Sequence, residues 1–409
     1  MDSINLKSFN KVIKNDLCAG CGLCESVYGK HNIEVKISDN GYYRPHINSE
    51  NNATKDIKLD SFCPALSIKH NDSNISLENS IWGSYKSLLL GNAADKITRY
   101  RGSSGGTISA LLIYLLDKKV IDGVIHIGVS KANPVINEIK YSTSREEVLT
   151  NSGSRYSPSA PLSDLESYLS QNKKYAFVGK PCDVAALRMY SMQDKRVDEK
   201  ILYVFSFFCA GVPSLEGTKN ILKKFNVSLE NVKSFRYRGE GWPGFTTIET
   251  KDNKKYTMKY EESWGTTLNK YLQKRCKICI DGIGEFSDIV CADGWDCDEK
   301  GYPIFTENDG TSIIISRNSK GEKLLKDVIK SGYIEINKKL DKKQLKYIQP
   351  FQYQRRSTLK VRLIAMKLLL KQIPSYSSKV LKYSSKKASF KIKLRAFLGT
   401  ISRGLKGRI

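Results

Sequence analysis

Eight of the ten cysteines in this 409-residue sequence fall into two groups of four, and their spacing has a clear chemical meaning. The first group begins with Cys18, Cys21 and Cys24 in a C-x2-C-x2-C run and ends with Cys63, which precedes a proline. A [4Fe–4S] cluster needs four soft thiolates that converge on one point, and short spacers let a tight loop aim three of them inward. The sequence therefore predicts one [4Fe–4S] cluster held by these four cysteines.

The spacing of this first group is that of half a two-cluster bacterial ferredoxin. In the full pattern, C-x2-C-x2-C-x3-C-P, the fourth cysteine serves the other cluster. Here Tyr28 takes the fourth position, and the second run is missing apart from Cys63 and Pro64. The matched losses predict a ferredoxin-like domain that keeps a single cluster.

Two other uses of these thiols remain open. Zinc also accepts four thiolates, although zinc sites usually pair cysteines as two C-x2-C units. A disulfide framework is less favoured because no hydrophobic signal segment opens the chain, which predicts a reducing, cytoplasmic compartment. The four histidines show no ligand spacing and are expected to be ordinary surface or core residues: His31, His46, His70 and His126.

The net charge of +25 is concentrated at one end of the chain. From residue 342 onwards there are 19 Lys or Arg and no Asp or Glu, which leaves 48 basic and 42 acidic residues for the rest. Apolar residues recur in this tail at helical spacing (Phe397, Leu398, Ile401, Leu405), whereas the alternation over 390–395 suits a strand or a disordered arm. The tail is thus expected to be a solvated arm, a peripheral contact with an anionic membrane or, less favoured, a non-specific nucleic-acid contact.

A run of small residues could hold the phosphate of a cofactor. Ser104, Gly105, Gly106 and Thr107 precede a predicted helix over 108–116. Bare N–H groups at a helix start, with the positive end of the helix dipole behind them, suit a phosphate. A plain glycine turn before a core helix is the alternative.

The second group of cysteines lies near the ends of predicted elements. Cys182 follows a predicted strand over 174–178 and begins a predicted helix over 183–190, where the helix dipole favours a thiolate. Cys209 follows a predicted buried strand over 201–208. Farther on, Cys276 and Cys279 form a C-x2-C pair, which by itself fits zinc, a redox dithiol or a cluster.

Taken in order, these segments resemble the coenzyme F-420 hydrogenase/dehydrogenase beta-subunit family over about residues 12–335. Five separated motifs carry the resemblance: Ser-Gly-Gly-Thr at 104–107, Gly-Ser-Arg-Tyr-Ser-Pro at 153–158, Gly-Lys-Pro-Cys-Asp at 179–183, Phe-Cys at 208–209, and Cys-Lys-Ile-Cys-Ile-Asp at 276–281 leading to 288–289. Each motif is weak alone, but the ordered series is specific.

The resemblance implies a flavin-containing α/β core that carries a second [4Fe–4S] cluster. The positions that match the family's ligands are Cys182, Cys209, Cys276 and Cys279. The residues expected to bind FAD are Ser104, Gly105, Gly106, Thr107, Ser154, Tyr156, Lys180 and Asp293.

Two departures from the family pattern affect this expectation. Lys180 stands where the family often has Thr, and it would add a positive charge near the flavin. Cys291 stands near a position where the family often has glycine. Cys291 and Cys297 are therefore expected to be spare core thiols or substitute ligands.

The predicted fold class is α/β (α+β), in four parts. A ferredoxin-like 4Fe–4S domain is expected at 1–75, and a basic, helical, amphipathic tail at 341–409. Between them, the N-terminal domain typical of the beta-subunit family is expected at 80–165 and its C-terminal domain at 166–340.

The resemblance also implies an activity: one-electron transfer through two clusters, coupled to FAD-mediated hydride transfer with a deazaflavin-like or other organic substrate. The expected redox partner is a ferredoxin or a partner subunit, and bacterial relatives suggest a setting in surface-polysaccharide biosynthesis. The alternatives are a non-catalytic electron-transfer subunit and, less favoured, a nucleic-acid-binding protein with a structural cluster. No Ser/His/Asp or Cys/His constellation indicates hydrolysis, and no catalytic residue is predicted.

Overall fold

A computed structural model describes residues 6–48, 57–70, 72–298, 303–407 and 409. Its N-terminal segment, residues 6–70, contains short helices and strands. They are α1 (Leu6–Lys14), α2 (Leu23–Tyr28), β1 (Ile33–Ile37), β2 (Tyr43–Ile47), α3 (Leu59–Phe62) and β3 (Ser67–Ile68). β1 and β2 form an antiparallel pair between the C-x2-C-x2-C run and Cys63.

Helices and strands are interspersed through the middle of the chain. They are β4 (Ser87–Ala93), α4 (Lys96–Arg101), α5 (Thr107–Asp117), β5 (Gly123–Val129), β6 (Asn137–Ser142), α6 (Arg145–Thr150), α7 (Leu165–Leu169), β7 (Tyr175–Val178), α8 (Pro181–Ser191), α9 (Arg196–Lys200), β8 (Ile201–Phe207), α10 (Leu215–Lys224), β9 (Val232–Arg236), β10 (Thr246–Thr250), β11 (Lys255–Met258), α11 (Lys274–Lys277), β12 (Ile289–Asp293), β13 (Ser312–Ser316), α12 (Ser319–Lys330), β14 (Ile334–Lys339) and α13 (Leu345–Ile348).

An eight-stranded mixed sheet organises this region, in the order β14–β4–β13–β12–β8–β7–β5–β6. The neighbouring pairs β12–β8, β8–β7 and β7–β5 are parallel, and the outer pairs are antiparallel. The predicted helices over 108–116 and 183–190 are present as α5 and α8, and the predicted strands over 174–178 and 201–208 as β7 and β8. The α/β fold is confirmed, and strands from 80–165 and from 166–340 share one sheet.

Burial explains why the inner strands read as apolar runs. Tyr175, Ala176 and Phe177 of β7 are all buried, as expected for a strand covered on both faces. A separate antiparallel sheet, in the order β11–β10–β9, has its own apolar core around Ile221 and Tyr237.

The C-terminal residues form a helical segment, which we call the C-terminal cap (residues 350–407 and 409). Its elements are α14 (Pro350–Ser357), α15 (Leu359–Leu368), β15 (Ser375–Tyr376), α16 (Ser378–Ser385) and α17 (Phe390–Leu405). The strand or disordered arm predicted over 390–395 was wrong, because these residues open α17 after Ser389, whose side chain accepts a hydrogen bond from the Ile392 N–H. Among the described residues, no helix is long and apolar enough to cross a membrane.

The cap is built into the rest of the fold. β15 pairs in parallel with β3, which follows Cys63 by a few residues. Leu359, Leu363 and Val380 of the cap belong to the same apolar core as Phe9 and Phe62 of the N-terminal segment. Packing against this shared core holds the cap against the N-terminal segment.

Candidate functional site

A cavity of about 990 Å³ opens at the carboxyl ends of three parallel strands. Lys180 follows β7, Cys209 follows β8 and Asp293 ends β12, and all three line the cavity. Ligands of open α/β sheets bind outside this edge, and the volume lies in the range of cofactor pockets. The residues predicted to bind FAD that line the cavity are Ser104, Gly106, Thr107, Ser154, Tyr156, Lys180 and Asp293.

Gly105, the remaining predicted residue, is not among the residues that line the cavity. Its N–H donates to Ser312 Oγ at 2.9 Å, so this donor is already used. The next residue, Gly106, has φ +70°, and a side chain there would place Cβ 2.4 Å from the Thr98 carbonyl oxygen. Only glycine fits at this turn into α5.

Thr107, on the cavity wall, has a buried hydroxyl without a hydrogen-bond partner. Thr107 is 1% exposed, its hydroxyl has no hydrogen bond of ordinary geometry, and the Cys291 thiol lies nearby. Burying a hydroxyl without a partner costs free energy. A free hydroxyl at the start of α5, beside the positive end of the helix dipole, suits an anionic group of a ligand.

Lys180 is held in an ion pair at the turn after β7. Its Nζ lies 2.8 Å from Asp183 Oδ2 and donates to Ser159 Oγ at 2.9 Å. Burial by itself would lower the pKa of Lys180, but Asp183, Cys182 and Cys209 together outweigh burial, and the pKa lies above its usual value. The lysine is therefore charged, and its charge is paired with Asp183 at the wall of the cavity.

Asp293 is bound by an arginine that sequence reasoning missed. Arg238 Nη2 lies 2.7 Å from Asp293 Oδ1 and Nη1 lies 3.0 Å from Oδ2, and Trp242 Nε1 donates to Oδ1 at 3.0 Å. The Arg238 guanidinium also lies 4.6 Å from the ring centre of Tyr260 and 5.0 Å from that of Trp295. The sequence signal for this cluster around Asp293 was the presence of Arg238 and Trp242 among the glycines of residues 238–244.

The four cysteines of the first group come together at the N-terminal segment. Burial raises the pKa of the Cys24 thiol, and Cys21, Cys18 and Cys63 raise it further in that order. Burial likewise raises the pKa of Cys63 to about 12, with Cys18 as the next cause. The Gly20 N–H donates to Cys18 Sγ at 3.3 Å, a hydrogen bond typical of cluster ligands.

The second group also converges, from positions nearly a hundred residues apart. Burial raises the pKa of Cys209 to about 12, and the Cys276 and Cys279 thiols add to the rise. Burial also raises the pKa of Cys182, which interacts with both Cys209 and Cys279. The Val212 N–H donates to Cys276 Sγ at 3.4 Å.

The donor chemistry of both groups fits an iron–sulfur cluster. Each group offers four thiols, none is in a disulfide, and a backbone N–H points at one sulfur in each. In the described parts of the chain, no set of three or more His, Cys, Asp or Glu is arranged to hold a single metal ion, so the fit to a cluster rests on the donor types and on the proximity of the thiols.

The two remaining cysteines have other surroundings. Cys291 lies within β12 on the cavity wall, near the hydroxyl of Thr107. Cys297 Sγ donates to the Tyr347 carbonyl at 3.3 Å. Both contacts involve residues outside the two groups and favour the interpretation of spare thiols.

The C-terminal cap closes over the second cysteine group. Arg355 donates to the carbonyl oxygen of Cys209 at 3.0 Å and also to that of Cys276. Gln352 donates to the same Cys209 carbonyl at 3.1 Å. Both cap residues also line the cavity, and no motif in the sequence had indicated them.

These features define an α/β protein with an open mixed sheet, a cavity at the carboxyl ends of its parallel strands and eight thiols in two groups. Family models for the N-terminal and C-terminal parts of the coenzyme F420 hydrogenase/dehydrogenase beta subunit match residues 88–166 and 172–342. The chain belongs to this family, as the motifs predicted. The matches end before the C-terminal cap.

Individual relatives agree with the family assignment. The coenzyme F420 hydrogenase subunit beta of Methanococcus voltae is 29% identical over 261 residues, which cover 62% of this chain and 85% of that protein. The F420-dependent formate dehydrogenase subunit beta of Methanocaldococcus jannaschii is 27% identical over 257 residues, 62% of each chain.

A solved structure shows the likeness of the fold. A chain of the F420-reducing [NiFe] hydrogenase complex from Methanosarcina barkeri superposes with a TM-score of 0.50 at 23% identity, covering 68% of this chain and 94% of that chain.

Proposed function

We propose that this chain is an iron–sulfur flavoprotein oxidoreductase that couples single-electron transfer to hydride transfer with a deazaflavin-like or other organic substrate. The observation that carries the proposal is the convergence of two four-cysteine groups, one of which places Cys209 on the wall of the cavity. The relatives named above are oxidoreductase subunits, which supports a redox role.

The residues divide into clear roles under this proposal. When bound, iron–sulfur clusters supply one-electron chemistry, and a flavin supplies both one-electron and hydride chemistry. The first cysteine group would hold one cluster and the second group the other. Thr107 and the start of α5 would bind phosphate, and Tyr156 and Trp264, whose ring centres lie 4.8 Å apart, would supply an apolar wall.

The spatial order of the groups supports a path between them. Burial is the largest cause that raises the pKa of Cys21, and the Asp183 carboxylate is the second largest. Asp183 directly follows Cys182 in the chain. The first group therefore lies beside the second, and the second reaches the cavity through Cys209. A redox partner would exchange electrons at the first group and the organic substrate would react in the cavity.

The composition of the purified protein tests this proposal. Anaerobic purification should give about eight iron, eight sulfide and one FAD per chain, as two cubanes and one flavin require. Cys21→Ser should remove about half of the iron and leave the flavin bound. Zinc in place of iron, or iron that is unchanged or entirely lost in the variant, would contradict two independent clusters.

The alternative is a non-catalytic electron-transfer subunit. It is favoured by the names of the relatives, which are subunits of larger enzymes. Reduction of bound flavin by an organic hydride donor without a partner protein would support catalysis by this chain; reduction only after a partner is added would support the alternative. A role in surface-polysaccharide biosynthesis stays a prediction from the family resemblance.

We further propose that the C-terminal cap makes a peripheral contact with an anionic membrane at its cytoplasmic face. The cap exposes large apolar side chains, including Leu370 (91% exposed) and Phe390 (79% exposed). They lie in a region with many Lys and Arg and no acidic residue. Apolar groups and adjacent cations together favour the surface of an anionic bilayer.

A further inference from the structure

We propose that Arg275 is a shared counter-ion of both cysteine groups, placed to stabilise the negative charge of two iron–sulfur clusters and to raise the reduction potential of each. The inference rests on the proposed function, because it requires clusters at both groups. The inference assigns an electrostatic role to Arg275, which lies between the two cysteine groups.

The position of Arg275 links the two groups directly. Arg275 lies in α11, immediately before Cys276 of the second group. Its Nη2 donates to the carbonyl oxygen of Pro64 at 2.8 Å, and Pro64 immediately follows Cys63 of the first group. Arg275 therefore links two chain segments, each of which carries a ligand of one predicted cluster.

The guanidinium is buried with unmet donors. Arg275 is 2% exposed, and its Nε and Nη1 atoms are buried without a hydrogen-bond partner. No carboxylate among the described residues forms an ion pair with it, and its nearest aromatic neighbour, Tyr376, has its ring centre 5.6 Å away. Burying an arginine without a compensating negative charge is strongly unfavourable, so the site calls for an anion.

The cysteines around Arg275 could supply that negative charge. Arg275 directly precedes Cys276, and Cys279 follows three residues farther on. The hydrogen bond to the Pro64 carbonyl holds the same guanidinium beside the residue that follows Cys63. A cluster at either group would therefore bring negative charge close to Arg275.

A cation in this position would change the redox behaviour of both clusters. A [4Fe–4S] cluster with four thiolates is negatively charged, and one-electron reduction adds a further negative charge without breaking a bond. A buried positive charge stabilises the reduced form more than the oxidised form, because the attraction scales with the charge. Both clusters should therefore be easier to reduce with Arg275 than without it.

The test is an EPR-monitored redox titration of the full chain, with dithionite as the electron donor. In R275Q, the equilibrium constant for reduction of each cluster should fall at least tenfold, which is about 59 mV for a one-electron couple. R275K keeps the charge and should stay close to the wild type. K274Q removes one charge from the neighbouring exposed position, where solvent screens it, and should leave both potentials unchanged.

Each outcome decides the inference. Unchanged reduction potentials in R275Q, or a shift at only one of its clusters, would overturn the shared counter-ion. A shift in R275K as large as that in R275Q, or loss of clusters from R275K, would also overturn it. Loss of both clusters from R275Q but not from R275K would support it. A wild-type chain without iron–sulfur clusters would overturn the proposed function itself, whereas intact clusters with unshifted potentials would overturn this inference alone.

Discussion

At the scale of single residues, the pair of Arg238 and Asp293 tests how the cavity is stabilised. Replacing Asp293 with Asn leaves the buried Arg238 guanidinium, whose side chain is 2% exposed, without its charged partner. We expect the free energy of unfolding, measured by urea titration, to fall by about 3 kcal/mol. As a control, Glu262→Gln breaks the exposed pair with Lys224 and should cost less than about 1 kcal/mol. Equal losses in the two variants would contradict this view of the pair.

His126 gives a prediction about pH. Its ring is buried on the cavity wall, and its Nε2 atom lies 2.8 Å from Ser142 Oγ. Burial is the main cause that lowers the pKa of His126 from 6.5 to about 4, and the positive charge of Lys140 is the second. The folded protein therefore takes up this proton less readily than the unfolded chain. The stability that the neutral ring contributes is complete above about pH 6.5 and is lost as the pH falls towards 4.

The matching experiment compares wild type with His126→Asn. Between pH 7 and pH 5, the wild type should lose about 2 kcal/mol more of its free energy of unfolding than the variant does. Anaerobic urea titrations at the two pH values measure this difference. The same pH dependence in both proteins would show that His126 is not held neutral by the fold.

At the scale of secondary-structure elements, the start of α5 decides whether phosphate binds there. Gly106→Asp would test this by charge, but the positive φ and the approach of the Thr98 carbonyl mean that it would also disturb the fold. Thr107→Val removes only the buried hydroxyl. We expect FAD affinity to fall at least about tenfold, since a hydrogen bond to a charged group contributes about 1.5–3 kcal/mol.

The flavin content after equilibrium dialysis measures this effect. The thermal midpoint of the Thr107→Val protein should stay near that of the wild type, because the hydroxyl has no strong partner to lose. Thr107→Ser keeps the hydroxyl and should retain the flavin. Full flavin binding by the valine variant would move the phosphate site away from α5.

At the scale of the whole molecule, the C-terminal cap joins the N-terminal segment, the second cysteine group and the exposed basic surface. Truncation at residue 349 would also remove Arg355 and Gln352 from the cysteine carbonyls, so substitutions test membrane contact more cleanly. Leu370→Glu combined with Phe390→Glu places two acids on exposed positions. The wild type should cosediment with anionic vesicles at low salt and not with neutral ones, whereas the double variant should stay in the supernatant.

Met192→Glu is the control for this experiment, because Met192 is 65% exposed and lies outside the cap. It should sediment like the wild type. Sedimentation of the double variant with anionic vesicles, or a wild type that ignores them, would contradict membrane docking.

Local features of the chain could be predicted from the sequence. Three features depend only on residues close together in the sequence, so the local sequence pattern determines them. They are the C-x2-C-x2-C run, the glycine turn at Gly106 and the apolar strands β7 and β8. The ordered motifs predicted the family, which the family models confirm. The ligand assignments at both cysteine groups stay predictions, supported by the convergence of the thiols.

Contacts between distant segments were decided only by the tertiary structure. The alternation over 390–395 pointed to a strand or a disordered arm, but these residues open α17, and α17 packs against α15 in the cap. No sequence motif indicated Arg238, Arg355 or Arg275, because an arginine in a sequence is normally expected on the surface. Only the packing places these residues beside Asp293 or beside the cysteine groups. Side-chain types and short spacings set which chemistry this chain can perform. Long-range packing, which a one-dimensional pattern does not encode, set which charges are buried next to that chemistry.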